Sequence, residues 1–425
     1  MNLFDEYRWR GLLQDVTEGA ETAFSEGSQL AYVGFDPTAD SLHVGHLLPI
    51  MGLVHLQRAG HTPIALVGGG TGLIGDPSGK TKERQLLTRE EVEANAESIR
   101  GQLASFLEFD GVTNPARMTN NLDWLGGTGV LDFLRDVGKH FPVNVLLRKD
   151  TIRRRLEDEA TGITYTEFSY VLLQAYDFLR LFQDQGCRFQ FGGQDQWGNI
   201  VGGIDLVRRV TGEKAYGAVF PLITTSSGVK FGKTEAGAVW LSPERTSPYR
   251  FYQFWMNTED ADAGRYLRFF TLLPREEIEA LEARVAEAPQ HREAQRRLAE
   301  EVTRTVHGES GLARARTASE VLFGGELDGL ASEEIADIFA DVPSSALPAD
   351  TLSGEGVALV ELLADTGLAT SRGDARRSVE QGGLYLNNRR EDDAQRRLTT
   401  ADTLAGRFLV LRKGKKRFHL VRVEG

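Results

Sequence analysis

Two short apolar runs, residues 29–35 (QLAYVGF) and 62–67 (TPIALV), flank a stretch, residues 43–59, whose apolar positions recur at helical spacing. Strand, helix and strand joined by short turns form a βαβ unit, and such a unit closes almost only as a right-handed crossover between parallel strands. An α/β fold with a parallel sheet is therefore expected. Asp40 or Ser41 is placed to cap the helix, and Gly45 and Gly52 allow it to pack closely against sheet or ligand. Pro49 removes the bond to the Gly45 carbonyl and predicts a kink.

At 425 residues the chain needs more than one core, and two or three domains are expected. Helical patterns cover residues 89–107, 130–137, 144–157 and 166–181, followed by a strand at 188–191, the loop GGQDQWGN and a helix over 200–210. Residues 259–318 read as almost all helix. Residues 321–353 are acidic and end in PSSALPADTLS, which suggests a linker. The remainder, 354–425, holds two short helical patterns, a Gly-Gly turn and the strand-like runs LYLNN, RFLVLR and RFHLVRV, enough for one small domain. No stretch approaches the roughly 20 apolar residues of a membrane helix, and the N-terminus lacks a signal-peptide core, so a cytoplasmic protein without membrane contact is expected. The single cysteine, Cys187, excludes an internal disulfide and any cysteine-based zinc cluster.

A net charge of -12 argues against a nucleic-acid partner only until the charge is read by segment. Residues 317–371 contain no Lys or Arg, whereas residues 407–422 contain seven basic residues and no acid. A basic terminal module on an acidic body is an electrostatic footprint for a polyanion.

Four stretches carry candidate chemistry. In PTADSLHVGH (residues 37–46) His43 and His46 stand three apart at the start of a helix. A metal would need further ligands, so no metal site is assigned; backbone N–H groups at a helix start favour an anion, and phosphate is the better reading. GGGTGLIGDPSGKTKER (residues 68–84) resembles a P-loop but misses its spacing by one residue, although Lys80 and Arg84 can still reach phosphates. Tyr170, Gln174 and Asp177, at i, i+4 and i+7, lie on one helical face, either a surface stripe or a polar pocket for a small zwitterion. VKFGKT (residues 229–234) sets Lys230 and Lys233 around a glycine; alone it is a basic turn.

Taken together and in this order, the four stretches resemble the class I aminoacyl-tRNA synthetases. PTADSLHVGH is similar to their HIGH signature and KFGKT to their KMSKS signature; DPSGK, YxxLQAYD and GGQDQWGN resemble the bacterial tyrosyl-tRNA synthetases in particular. The resemblance covers essentially the whole chain. Val44 replaces the signature isoleucine, and Phe231, Gly232 and Thr234 depart from KMSKS, while both histidines and both lysines remain.

The resemblance implies a Rossmann-like catalytic domain (1–225, with a helical and dimerisation insert at about 120–160), a signature loop with an α-helical domain (226–320), and an S4-like RNA-binding domain after the linker. It implies ATP-dependent activation of L-tyrosine, with Mg2+ accompanying ATP as substrate, and transfer to the 3′ end of tRNA(Tyr) by a homodimer. His43, His46, Lys230, Lys233, Thr234, Lys80 and Arg84 would stabilise the transferring phosphates. Tyr32 and Asp177 would bind the phenol, Tyr170, Gln174 and Asp76 the ammonium group, and Gln196 would lie near the carboxylate. Gly34, Asp36, Thr38, Gly193 and Asp195 fall on the ATP side. Arg208, Arg209 and Lys214, with Arg412, Lys413, Lys415, Lys416 and Arg417, would meet tRNA. The rivals are a tryptophanyl-tRNA synthetase and a catalytically silent RNA-binding descendant; the terminal module and Asp177 oppose the first, and the intact histidines and lysines oppose the second.

Overall fold

The structure, a computed structural model, describes residues 2–78, 86–157, 162–226, 228, 231–234, 237–340, 342–414 and 417–424. It divides into two units, Met1–Thr246 with Phe254–Val306, and Ser247–Gln253 with His307–Gly425.

The first unit is built on strands β1 (Asp15–Val16), β2 (Leu30–Phe35), β3 (Thr62–Val67), β4 (Arg117–Asn120), β5 (Phe189–Gly193) and β6 (Tyr216–Phe220). Their spatial order is β1-β6-β5-β2-β3-β4. The five strands from β6 to β4 run parallel, and β1 closes the edge antiparallel to β6. β3, β5 and β6 are buried along almost their whole length, as strands covered on both faces must be. From β2 the chain proceeds outward through β3 and β4, then returns to place β5 and β6 on the other side. The reversal lies between β2 and β5, and open parallel sheets bind ligands at the carboxyl ends of such strands.

Four helices position the site: α1 (Leu47–Arg58), α2 (Arg89–Ala104), α3 (Tyr165–Gln185) and α4 (Trp197–Thr211). Thr164 caps α3 by accepting from the Glu167 N–H, and Gly186, at φ 72°, ends it. Ala175, Phe178 and Leu179 of α3 share one core with Tyr32, Ile64 and Leu66 of the sheet and with Leu206 and Val207 of α4. Gly52 is required where α1 crosses the sheet, because an added Cβ would lie 2.2 Å from Phe220 Cζ.

Several elements differ from the expectation. Residues 43–59 are not one helix: a 3₁₀ turn, Val44–His46, precedes α1. Pro49 is then the third residue of α1, where its missing N–H has no intrahelical partner to lose, so no kink follows. Neither Asp40 nor Ser41 caps the turn; the His43 ring does, and Asp40 pairs with Arg245 instead. Residues 144–157 split into Val143–Leu146 and Asp150–Glu157.

Residues 321–353 are not an extended linker. Ser332–Ile338 is helical, and β7 (Ser344–Pro348) joins the C-terminal sheet. That sheet also contains β8 (Leu384–Leu386), β9 (Arg389–Glu391), β10 (Phe408–Lys413) and β11 (Arg417–Glu424), in the order β9-β8-β10-β11-β7. β7 pairs in parallel with β11 and the other neighbours are antiparallel. Alternation along β10 and β11 sends Leu409, Leu411, Val421 and Val423 to a core with Leu362, Leu363 and Val379. Phe408, Val410, Phe418 and Leu420 face Val321, Ile335, Ile338 and Phe339 on the opposite side. The acidic segment folds because its apolar residues cover a sheet face that composition alone does not reveal.

Candidate active site

At the carboxyl end of β2, Asp36 accepts from Tyr170 Oη of α3 at 2.7 Å and from Thr71 Oγ1 of the Gly-rich loop, also at 2.7 Å. Thr71 Oγ1 in turn accepts from Asn121 Nδ2 at 2.9 Å. The same amide nitrogen donates to Asp177 Oδ2 at 2.9 Å, and Trp124 Nε1 donates to Asp177 Oδ1 at 2.7 Å. Six side chains from four parts of the chain thus form one network, in which Thr71 and Asn121 join Asp36 to Asp177. The glycines of GGG are explained by this packing, since a Cβ on Gly68 would lie 2.1 Å from Asp36 Oδ1 and one on Gly69 would lie 2.4 Å from Asn120 Oδ1. They admit side chains rather than phosphates.

Asp177 is only 2% exposed. Burial pushes its pKa up to about 7, against the opposing pull of the Asn121 and Trp124 N–H groups. Tyr32 Oη and Gln190 Oε1 are buried nearby without a hydrogen-bond partner. Burial, with the Asp177 charge, drives the Tyr32 phenol well above its ordinary range, so Tyr32 is a neutral donor. Orphaned buried polar atoms beside a half-ionised carboxyl group mark a place where a ligand hydroxyl is wanted.

A second cluster lies at the carboxyl end of β5. Gln196 Nε2 donates to Asp76 Oδ2 at 2.7 Å, and Asn199 Nδ2 donates to Gln174 Oε1 at 2.8 Å. The Ser78 N–H closes the other Asp76 oxygen at 2.8 Å. The four residues expected around an ammonium and a carboxylate, Asp76, Tyr170, Gln174 and Gln196, therefore belong to one region of the switch point. Gly34 is exposed next to the carboxyl end of β2 with open space above its Cα, and Thr38 is exposed in the following turn. Gly193, the last residue of β5, and Asp195 just beyond it are partly exposed.

The histidine turn has its own geometry. His43 Nδ1 accepts from the Gly45 N–H and His46 Nδ1 accepts from the His43 N–H, each at 3.1 Å. The rings stack with centroids 4.0 Å apart. Burial, and then His43, lower the His46 pKa to about 3, so its ring is neutral with the proton on Nε2. Both Nδ1 atoms are occupied as acceptors, which puts the proton of a neutral ring on Nε2. Among the described residues no group of three or more His, Cys, Asp or Glu side chains is placed to hold a metal ion.

Lys80 and Arg84 lie outside the described residues, as does Lys230. Lys233–Thr234 form a short hairpin with Gly237–Ala238. The departures from the KMSKS signature have physical reasons. Phe231 is buried among Phe254, Trp255, Tyr266 and Phe270, stacking on the last at 5.5 Å. Gly232, at φ 77°, sits where a Cβ would come within 2.7 Å of Val44 Cγ2.

The basic residues divide differently from the expectation. Arg412 is 8% exposed and stacks 3.8 Å from the centroid of Tyr385, so it serves the sheet rather than offering a free phosphate contact. Lys413 pairs with Asp374 at 2.9 Å. Arg417 is exposed and donates to the Gly367 carbonyl, and Lys415 and Lys416 lie outside the described residues. On the first unit Lys214 is exposed, Arg208 pairs with Asp205, and Arg209 donates to the His140 carbonyl.

Thr71, Asn121, Trp124 and Asn199 were not anticipated as site residues. The pair Asn120–Asn121 at the end of β4 was the available signal, since adjacent asparagines at the carboxyl end of a parallel strand point to a ligand edge.

Residues 25–324 match the family described as tRNA synthetases class I (W and Y), and residues 334–421 match the tyrosine--tRNA ligase SYY-like C-terminal domain. The chain belongs to the class I tRNA synthetases. It is 57% identical over 421 residues to a tyrosine--tRNA ligase of Roseiflexus castenholzii, covering 99% of each chain. It is 51% identical over 425 residues to that of Geobacillus stearothermophilus, covering 99% of this chain and 100% of the relative. A C-terminally truncated mitochondrial tyrosyl-tRNA synthetase of Aspergillus nidulans superimposes with a TM-score of 0.69 at 32% identity, covering 76% of this chain and 94% of the other. Within the class, the chain is a tyrosyl-tRNA synthetase of the bacterial type.

The raised Asp177 pKa has a sign in two measurements. Its native pKa of about 7 lies above the unfolded value, so Asp177 contributes a stability loss that develops as pH rises from about 4 to about 7. A phenol that donates to Asp177 favours the ionised form, so tyrosine affinity should rise between pH 6 and pH 8. Equilibrium binding across that range should show the slope in the wild type and lose it in Asp177→Asn; a retained slope would assign it to another group.

Proposed function

We propose that this site activates tyrosine by in-line attack of its carboxylate oxygen on the α-phosphorus of ATP. The α–β phosphoanhydride bond breaks, pyrophosphate leaves, and a hydroxyl at the 3′ end of tRNA(Tyr) then takes the tyrosyl group and releases AMP. The observation that carries the reading is the pair of buried, unpartnered atoms Tyr32 Oη and Gln190 Oε1 beside Asp177. Tyr32 donates to the phenol oxygen while Asp177 accepts its proton. Asp76, Tyr170 and Gln174 hold the ammonium group, and Gln196 orients the carboxylate. Gly34, Asp36, Thr38, Gly193 and Asp195 line the nucleotide side, where the open backbone at Gly34 leaves room for a ligand.

No protein nucleophile enters, so catalysis rests on positioning and charge stabilisation. His43 and His46 offer Nε2–H to phosphate oxygens as charge develops. Lys80, Arg84, Lys230, Lys233 and Thr234 supply the cations and hydroxyl for the leaving pyrophosphate, which departs with the Mg2+ that entered with ATP. Among the described residues no helix is long and apolar enough to cross a membrane; the proposed compartment is the cytoplasm, where tRNA(Tyr) is used.

The insert supports a homodimer. Val130 (70%), Leu131 (78%), Val143 (59%) and Val145 (50%) are exposed, an apolar concentration unusual for a monomer surface. For tRNA, Lys214, Arg417, Lys415 and Lys416 are the contacts proposed, with Arg208, Arg209 and Lys413 beside them and Arg412 removed from the set.

Amino-acid-dependent ATP–pyrophosphate exchange, run with all twenty amino acids and no tRNA, should respond to tyrosine alone; a tryptophan response would overturn the pocket assignment. Discrimination of tyrosine from phenylalanine is the standard instance of a site that rejects an analogue by stranding its polar groups. Asp177→Ala should therefore relax that ratio more than it weakens ATP binding, and an unchanged ratio would remove Asp177 from the pocket. In analytical ultracentrifugation the wild type should sediment as a dimer and Leu131→Asp/Val145→Asp as a monomer, whereas an unaltered dimer would place the interface elsewhere. Replacing Lys415 and Lys416 by Ala should flatten the salt dependence of tRNA binding by about one log–log unit for each phosphate no longer neutralised; an unchanged slope would exclude them.

A further inference from the structure

The histidine turn and the base of the lysine loop are joined by very little backbone. The Val44 N–H donates to the Val239 carbonyl at 2.9 Å, the Leu241 N–H donates to the Leu42 carbonyl at 2.8 Å, and His43 faces Trp240 in an isolated antiparallel bridge. A two-stranded ladder this short does not hold itself in water. Side chains surround it. The Arg245 guanidinium lies 3.8 Å from the centroid of the Trp240 ring and pairs with Asp40 at 2.6 Å. Trp240 in turn meets the His43 ring edge-on at 6.0 Å, and His43 stacks on His46. Asp40, Arg245, Trp240, His43 and His46 therefore form one continuous series of contacts. It ends at the rings assigned above to the phosphates.

The backbone beyond the ladder depends on the same alignment. The Val239 N–H donates to the Gly232 carbonyl at 3.1 Å, and Gly232 presses on Val44. Displacing residues 239–241 from residues 42–44 moves the signature loop relative to the histidines. It leaves the phenol pocket untouched, since Tyr32, Asn121, Trp124 and Asp177 hang on β2, the segment after β4, and α3.

We propose that Arg245, clasped between Trp240 and Asp40, is a positioning residue for adenylate formation: it holds His43 and His46 in register with the backbone of the signature loop. None of its contacts is to a reacting atom. Arg245 and Asp40 are partly open to solvent (37% and 62%), so their ion pair is screened, and the close guanidinium–indole stack is the stronger half of the clasp. The inference rests on the assignment of the histidine turn to the phosphates.

Single-turnover formation of tyrosyl-adenylate in the full-length enzyme, with tyrosine affinity measured separately by equilibrium binding, tests it. Arg245→Ala should slow adenylate formation about tenfold and leave the tyrosine dissociation constant unchanged. Arg245→Lys, which can still stack on Trp240 and pair with Asp40, should restore most of the rate. Asp40→Ala in the Arg245→Ala background should add little, because the pair acts as a unit. A rate for Arg245→Ala within twofold of wild type would overturn the proposal. So would a parallel loss of rate and tyrosine affinity with a lowered melting temperature, the mark of a merely structural residue. If Arg245→Ala does not fold, failure of Arg245→Lys to exceed the rate of Arg245→Met would overturn it equally. His46→Ala, run alongside, separates the two levels: loss of rate there with none in Arg245→Ala refutes the clasp alone, whereas full activity of His46→Ala refutes the phosphate assignment beneath it.

Discussion

A carboxylate buried in a protein interior stays there only if donors surround it. In this chain the buried Asp177 is bridged through Asn121 and Thr71 to the partly buried Asp36, and the bridge dictates much around it. It requires glycine at 68 and 69, because side chains occupy the space their Cβ atoms would fill. It requires asparagine at 121, just past β4, and Tyr170 ties α3 to Asp36 at the end of β2. Asn121 spends its two amide protons on Thr71 and Asp177 and takes the Gly70 N–H on its oxygen at 2.7 Å, so its orientation is determined. Tyr32 Oη and Gln190 Oε1 remain without a partner beside Asp177.

What the sequence made legible follows from distance along the chain. The parallel sheet was readable because β2, α1 and β3 are neighbours with strong periodicity. The pocket helix was readable because Tyr170, Gln174 and Asp177 recur within two turns. Thr71, Asn121 and Trp124 were hidden because their roles depend on a sheet order that brings β4 beside β3 and leaves β5 on the far side of β2. The segment 321–353 misled for a related reason: acidity and proline describe its solvent face, and its contribution to the C-terminal sheet is a pairing with residues more than seventy positions later. Arg412 misled because basic character does not say on which side of a strand a side chain falls. In β10 its neighbours alternate between two buried faces, and the guanidinium is drawn over Tyr385.

The signature loop shows how one scaffold tolerates departures from a consensus. Phe231 replaces a flexible methionine by a ring that fits four other aromatic residues, which ties the loop's base down firmly. Gly232 replaces serine where the backbone turns left-handed against Val44, and that left-handed turn is a conformation glycine adopts at little strain. The two changes complement each other: an anchored residue followed by a compliant one lets the loop be fixed at its root and still approach the histidine turn closely.

The bond from Tyr170 to Asp36 joins residues 134 positions apart, and that from Gln196 to Asp76 spans 120. Contacts of such separation cannot form until the intervening chain exists and the parallel strands have closed, which is the slow kind of folding. During synthesis β2 and β3 can emerge and associate, yet nothing able to recognise tyrosine is present until α3, β5 and the start of α4 have left the ribosome. Substrate can therefore favour only the finished catalytic unit and cannot rescue a truncated chain. An abundant cellular amino acid thus acts as a ligand of completed molecules alone, and fragments that end before residue 199 remain blind to it.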